Sequence, residues 1–149
     1  MSLEQKIAQD LKAAMKAKDE AAKRGIRAIK AAILLAKTDG SGQEITEEVE
    51  IKMLTKMAKQ RKESIKIFLE QNREDLAKVE QEELAIIERY LPAQLSEGEI
   101  EAQVKAIIEQ LGASSMRDMG KVMGAATKQF AGAADGKIVS GIVKKLLST

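Results

Sequence analysis

Residues 88–99 read Glu88-Arg89-Tyr90-Leu91-Pro92-Ala93-Gln94-Leu95-Ser96-Glu97-Gly98-Glu99, and this stretch divides the chain. Proline disfavours helix at the residue before it, so a helix arriving through Tyr90 stops there. Ser96 followed three positions later by Glu99 is a capping box, in which each side chain satisfies a backbone N–H of a new helix. One helix ends and another begins across the joint Pro92 to Ser96. The boundary separates an N-terminal helical domain, residues 1–92, from a tail domain, residues 96–149.

Upstream of the joint the apolar residues recur at helical spacing. Ser2 can cap a helix whose stripe is Leu3, Ile7, Leu11 and Met15. Asp19 caps or turns into a second helix through Ala22, Ile26, Ile29 and Ile33. Gly25 lies inside that helix, where glycine costs about 1 kcal/mol against alanine, and we assign it to close packing. Asp39-Gly40-Ser41-Gly42 is a loop. Thr46 starts a third helix, with Glu47, Glu48 and Glu50 suited to its positive end. Its face runs through Ile51, Leu54, Ala58, Ile65 and Phe68 or Leu69, and Gln71-Asn72 ends it. Residues 75–90 form a fourth helix with Leu76, Val79, Leu84, Ile87 and Leu91 inward.

Downstream, the capped helix runs through Ile100, Val104, Ile107 and Ile108 to Leu111, with Gly112 at its C-cap. Ser115 and Asp118 open the next, faced by Met116, Met119, Met123, Ala126 and Phe130 and closed by Gly132. Asp135 caps the last, which carries Ile138, Ile142, Val143 and Leu146. The expected fold is all-α: a four-helix N-terminal domain followed by a compact three-helix tail.

Composition agrees and excludes several functions. Of 149 residues, 44% are apolar, 32% charged and only 2% aromatic, a mixture rich in helix formers. There is no cysteine and no histidine. Disulfides, thiolate metal sites, thiol nucleophiles and imidazole bases are therefore excluded, and carboxylate-only sites remain possible. The longest apolar run, Ala31 to Ala36, falls far short of the roughly 20 residues of a membrane span. The start, Met1 to Ile7, lacks a signal-peptide core. The expected compartment is the cytoplasm, with no membrane, metal or cofactor. Gly120-Lys121 lacks the Gly-x-x-x-x-Gly-Lys-Ser/Thr spacing of a nucleotide loop.

Charge is unevenly placed. Lys12, Lys16, Lys18, Lys23, Arg24, Arg27 and Lys30 form one basic run, and Lys52, Lys56, Lys59, Arg61, Lys62 and Lys66 another. From Glu70 to Glu101 the balance reverses, with ten acidic residues against three basic. These runs read as solvated helix faces or as surfaces for phosphates. The pair Glu82-Glu83 reads as a solvated face rather than an acid/base dyad. In the tail, Arg117, Lys121 and Lys128 share a helical stripe around Gly124, and Lys137, Gly141 and Lys144 repeat it. Such glycines either let tail helices touch or let a phosphate backbone approach. No aromatic interleaves, so this candidate RNA-binding surface would read backbone and shape rather than stack bases.

Lys59-Gln60-Arg61-Lys62-Glu63-Ser64-Ile65 resembles the central helix of YqeY-like proteins, and Tyr90-Leu91-Pro92-Ala93-Gln94-Leu95-Ser96 resembles their joint. Asp118-Met119-Gly120-Lys121-Val122-Met123 and Gly132-Ala133-Ala134-Asp135-Gly136-Lys137 are similar to the family's C-terminal signature. Ala133 departs from it, standing where the family often has a basic residue. The tail also resembles the C-terminal domain of the B subunit of glutamyl/aspartyl-tRNA amidotransferase, where it is implicated in holding tRNA. The resemblance implies a tRNA-associated accessory protein that is not catalytic alone, with Lys121 and Lys137 as matching residues. A protein-interaction adaptor for a translation factor or amidotransferase complex is the alternative. A label of carbon–nitrogen ligase with glutamine as amido-N-donor would come from the family alone.

Overall fold

The helix starts follow from local capping. The computed structural model describes residues 2–40, 42 and 44–148. Met1 and Ser41, used in the leader and loop assignments, lie outside the described residues. Among the described residues there are seven α-helices and no strand. Side-chain oxygens of Ser2, Asp19, Thr46, Ser96 and Asp135 accept from the first turns of α1 (Leu3–Ala17), α2 (Glu20–Lys37), α3 (Glu47–Glu70), α5 (Glu97–Leu111) and α7 (Gly136–Leu147). Each such cap is worth about 1 kcal/mol. The capping box at Ser96 and Glu99 is complete, and a second joins Ser2 and Gln5. Gly112 closes α5 at φ +62°, a left-handed geometry that costs glycine little. The remaining helices are α4 (Glu74–Glu88) and α6 (Met119–Gln129).

The chain divides into two compact units, residues 1–92 and 93–149. In the first, α1 folds back on α2 through the left-handed Lys18, and Lys37 Nζ reaches Glu4 at 2.6 Å across the hairpin. α4 packs against both α2 and α3. Gly25 sets the α2–α4 approach: a Cβ built on it would stand 2.6 Å from Ile86 Cβ. Ile7, Ile26, Ile29, Leu54 and Ile87 fill the core.

Two inward assignments were out by one or two positions, whereas Leu84, Ile87 and Leu91 are inward as expected. Val79 is exposed and Ala77 is buried in its place. The small Ala77 and the stems of Glu80 and Glu83 make the α4 seam, because Arg61 of α3 reaches both carboxylates, at 3.4 and 2.9 Å. Glu83 is therefore not on a solvated face, and Arg24 of α2 holds its neighbour Glu82 at 2.8 Å. Met15 is exposed, with Ala14 turned inward. α4 ends at Glu88 rather than Tyr90, because the amides of Arg89, Tyr90 and Leu91 bond back to carbonyls three residues earlier, tightening the exit. On α3, Phe68 is half-buried and Leu69 is exposed.

In the second unit, α5, α6 and α7 pack on one another around Ile100, Val104, Val122, Phe130 and Val143. The incoming chain is tied down by Leu95 N donating to Ala133 O at 2.9 Å and by the Gln94 amide donating to Gly132 O at 2.7 Å. Residues Met116–Asp118 form a 3-10 turn ahead of α6, with Ser115 capping it. Here too the centre of each face was displaced. Val122 and Val139 are buried, whereas Met116 and Ile138 are exposed at 40% and 39%. The compact β-branched residues take the closest helix approach. Met119 and Met123 flank it, partly buried as core packing.

Candidate nucleic-acid interface

That displacement decides where the tail's basic residues point. With Val122, Ala126 and Phe130 facing the core, the opposite side of α6 carries Lys121, Gly124 and Lys128 within about 60° of arc at 100° per residue. With Val139, Val143 and Leu147 inward, α7 turns Lys137, Gly141 and Lys144 outward. All six are exposed, as is Arg117. Arg117 belongs to the 3-10 turn, one turn ahead of Lys121, and is not on the regular α6 stripe as expected. Lys145 is also exposed on the outward side of α7. The spacing had not singled it out, although it adjoins Lys144 in sequence.

The packing explanation of the tail glycines fails. A Cβ added to Gly120, Gly124 or Gly141 would meet nothing within 4 Å. These are surface glycines within helices, each costing about 0.5–1 kcal/mol against alanine with no neighbouring helix to accommodate. Gly25 is the opposite case and is the true close-packing glycine.

The basic side chains are electrostatically unspent. Among the described residues none of Arg117, Lys121, Lys128, Lys137 and Lys144 makes an ion pair. The two nearby acids serve the backbone. Asp118 Oδ2 accepts from Ser114 N at 3.0 Å, and Asp135 Oδ1 accepts from Lys137 N at 2.8 Å. α6 and α7 contain no acidic residue. The unit's one aromatic, Phe130, is buried. The surface can hold phosphates by charge and close approach, and it offers no stacking platform.

A second concavity, about 520 Å³, lies in the first unit beside Lys6, Glu47, Glu50, Arg89 and Tyr90. Its charges are of both signs. Burial, with Glu47 nearby, raises the Glu50 carboxyl above its ordinary value. At its edge Tyr90 Oη donates to Asp10 Oδ2 at 2.5 Å, tying the end of α4 to α1. Burial, then that bond, pushes the phenol well above its ordinary value of 10. A raised folded value means the contribution to stability is complete below pH 10 and is lost as pH climbs toward the folded value. With one tyrosine and no tryptophan, tyrosinate absorbance reports this group alone. The absorbance rise in the folded protein is expected well above pH 10. Asp10→Asn should bring it only part of the way down, because burial is the larger cause. A wild-type midpoint near 10 would show that the contact does not exist.

Among the described residues no group of carboxylates is placed to hold a metal ion, and no helix is long and apolar enough to cross a membrane. Fold and surface together define an all-helical protein whose C-terminal three-helix unit carries a basic, glycine-bearing surface on α6 and α7. The family model for YqeY-like proteins matches residues 4–147, and the chain belongs to that family. Among curated relatives it is similar to "Altered inheritance of mitochondria protein 41, mitochondrial" from several yeasts. It is 38% identical over 112 residues to that of Lachancea thermotolerans, covering 73% of this chain and 59% of the relative. For Meyerozyma guilliermondii the figures are 47% over 85 residues, 57% and 44%. For Clavispora lusitaniae they are 38% over 124 residues, 81% and 69%. The chain thus spans about half the length of the first two relatives.

Proposed function

We propose that this YqeY-like protein is a tRNA-associated accessory protein, non-catalytic by itself, whose tail unit grips the RNA sugar–phosphate backbone. One observation carries the reading. Gly124 and Gly141 sit exposed in mid-helix, without any packing need, between lysines that have no counter-charge. Flexible cations around a gap in the side-chain surface suit a phosphate lying close to the helix. The likeness of Gly120-Lys121-Val122-Met123 and Asp135-Gly136-Lys137 to the amidotransferase B-subunit tail supports the same ligand. On this proposal the chain works as two domains joined at residues 92–96, in the cytoplasm. The relatives' printed names make the mitochondrial interior the other compartment to examine.

The test is a tRNA titration at several salt concentrations. Wild-type affinity is expected to fall steeply between about 50 and 200 mM salt, with a log–log slope near −0.9 for each phosphate neutralised. Lys121→Glu with Lys137→Glu is expected to weaken binding by roughly tenfold or more and to flatten that slope. Gly124→Ala should weaken binding while making the tail more stable. Absence of any salt-sensitive tRNA binding by the wild type would defeat the proposal.

A further inference from the structure

The tail leaves unused the most regular charge pattern in the molecule. α3 turns Leu54, Met57 and Ala58 into the core of the first unit. The opposite side carries Lys52, Lys56, Lys59 and Lys66, all exposed, with Lys62 at its edge and one acid, Glu63, among them. Lys52, Lys59 and Lys66 recur every seven residues, which at 1.5 Å rise sets them about 10 Å apart along a line of about 21 Å. Lys52 pairs with Glu48 at 3.7 Å, and both side chains of that pair are more than three-quarters exposed. Among the described residues Lys56, Lys59, Lys62 and Lys66 make no ion pair. Arg61, in the same run, is turned inward to Glu80 and Glu83 and is not part of the stripe.

We infer that this outward face of α3 is a second phosphate-contacting surface, and that its partner is the RNA backbone. The inference rests on the reading of the tail given above. The composition of the face selects the partner. Between residues 52 and 66 its exposed positions are Lys52, Thr55, Lys56, Lys59, Gln60, Lys62, Glu63 and Lys66. The exposed apolar residues of α3, Ile67 and Leu69, lie past the last of these lysines, so no apolar or aromatic residue stands among them as the central buried anchor that a protein interface uses. A helix lying on anionic lipid must insert its apolar face, and the apolar face of α3 is already spent on the core. A sugar–phosphate backbone needs neither. It offers closely spaced negative charges over the length of the stripe, and flexible lysines can track them by releasing counterions.

The experiment compares three full-length proteins binding unfractionated tRNA at several salt concentrations. They are the wild type, an α3 variant with Lys52→Gln, Lys59→Gln and Lys66→Gln, and a tail variant with Lys121→Gln, Lys137→Gln and Lys144→Gln. The α3 variant is expected to weaken binding by roughly tenfold or more and to reduce the salt slope by about two to three units. The tail variant should do so independently, and thermal melts should show both variants folded. If the wild type binds tRNA and the α3 variant matches it in affinity and slope, the inference is wrong and the tail reading stands. If the wild type binds no tRNA, both fail. If the α3 variant loses poly-glutamate binding as fully as tRNA binding, the face is a general polyanion contact and the RNA assignment is overturned.

Discussion

Gly25→Ala is expected to destabilise the N-terminal unit by about 2 kcal/mol, although alanine is the better helix former. The added Cβ would lie 2.6 Å from Ile86 Cβ and 2.7 Å from its Cγ2. Carbon atoms pack best at about 3.5–4.0 Å. No rotamer change relieves a Cβ–Cβ clash, because both atoms are fixed to their backbones. Ile86 is itself buried, so relief requires α2 and α4 to move apart. Ile86→Ala removes only the branches and leaves the closest atom in place, so it should rescue poorly. Gly25→Val should lose more than alanine. Gly124→Ala is the matched control: with open space at its Cβ, it should stabilise the tail by about 0.5–1 kcal/mol. Chemical denaturation of the four variants measures both signs, and an unchanged or raised midpoint for Gly25→Ala would refute the packing argument.

Arg61→Met is expected to cost about 2–4 kcal/mol, toward the upper end of single-residue effects. Arg61 Nε stands 2.9 Å from Glu83 Oε2 and 3.4 Å from Glu80 Oε2, and all three side chains are less than a quarter exposed. Nε has no well-aligned hydrogen-bond acceptor, so the attraction is ionic more than directional. Methionine keeps much of the volume but leaves two half-buried carboxylates that repel, Glu80 without a cation and Glu83 with only the longer contact to Arg24 Nε at 3.9 Å. The loss comes mainly from that orphaned charge, not from the pair's own worth. Adding Glu83→Gln removes half of the repulsion and should recover part of the stability. A double-mutant cycle with no coupling between positions 61 and 83 would show that the pair carries nothing.

Local signals were legible in the sequence, and signals that depend on a neighbouring helix were not. Ser2, Asp19, Thr46, Ser96 and Asp135 were readable as caps because a cap needs only its own first turn. The family was readable because its motifs run in order along the chain. The faces of α4, α6 and α7 are inward at most of the expected positions, Ile87, Ala126, Phe130 and Val143 among them, but Val79, Met116 and Ile138 turn outward and Ala77, Val122 and Val139 are buried. In α4 the cause was Arg61, whose hold on Glu80 and Glu83 turned Val79 outward. Around α6 and α7 the apolar stripes are wide, and spacing alone favoured the larger Met116, which falls in the 3-10 turn before α6, and Ile138 over Val122 and Val139. Glycine was the hardest case. Gly25 and Gly124 look alike in sequence, and only the presence or absence of Ile86 opposite tells them apart.

The charge on the tail unit is divided as well as exposed. α5 carries Glu97, Glu99, Glu101 and Glu109 against a single lysine, Lys105, which leans on Glu101 at 3.7 Å. α6 and α7 carry only cations. A body with its negative charge on one flank and its positive charge on the others has a large permanent electric moment, although the whole chain is only +2. In the field of a polyanion such a body feels a torque before it feels a contact, and it arrives lysines first. The advantage lies in the encounter rate and is greatest at low ionic strength; the lifetime of the complex depends on contacts made afterwards.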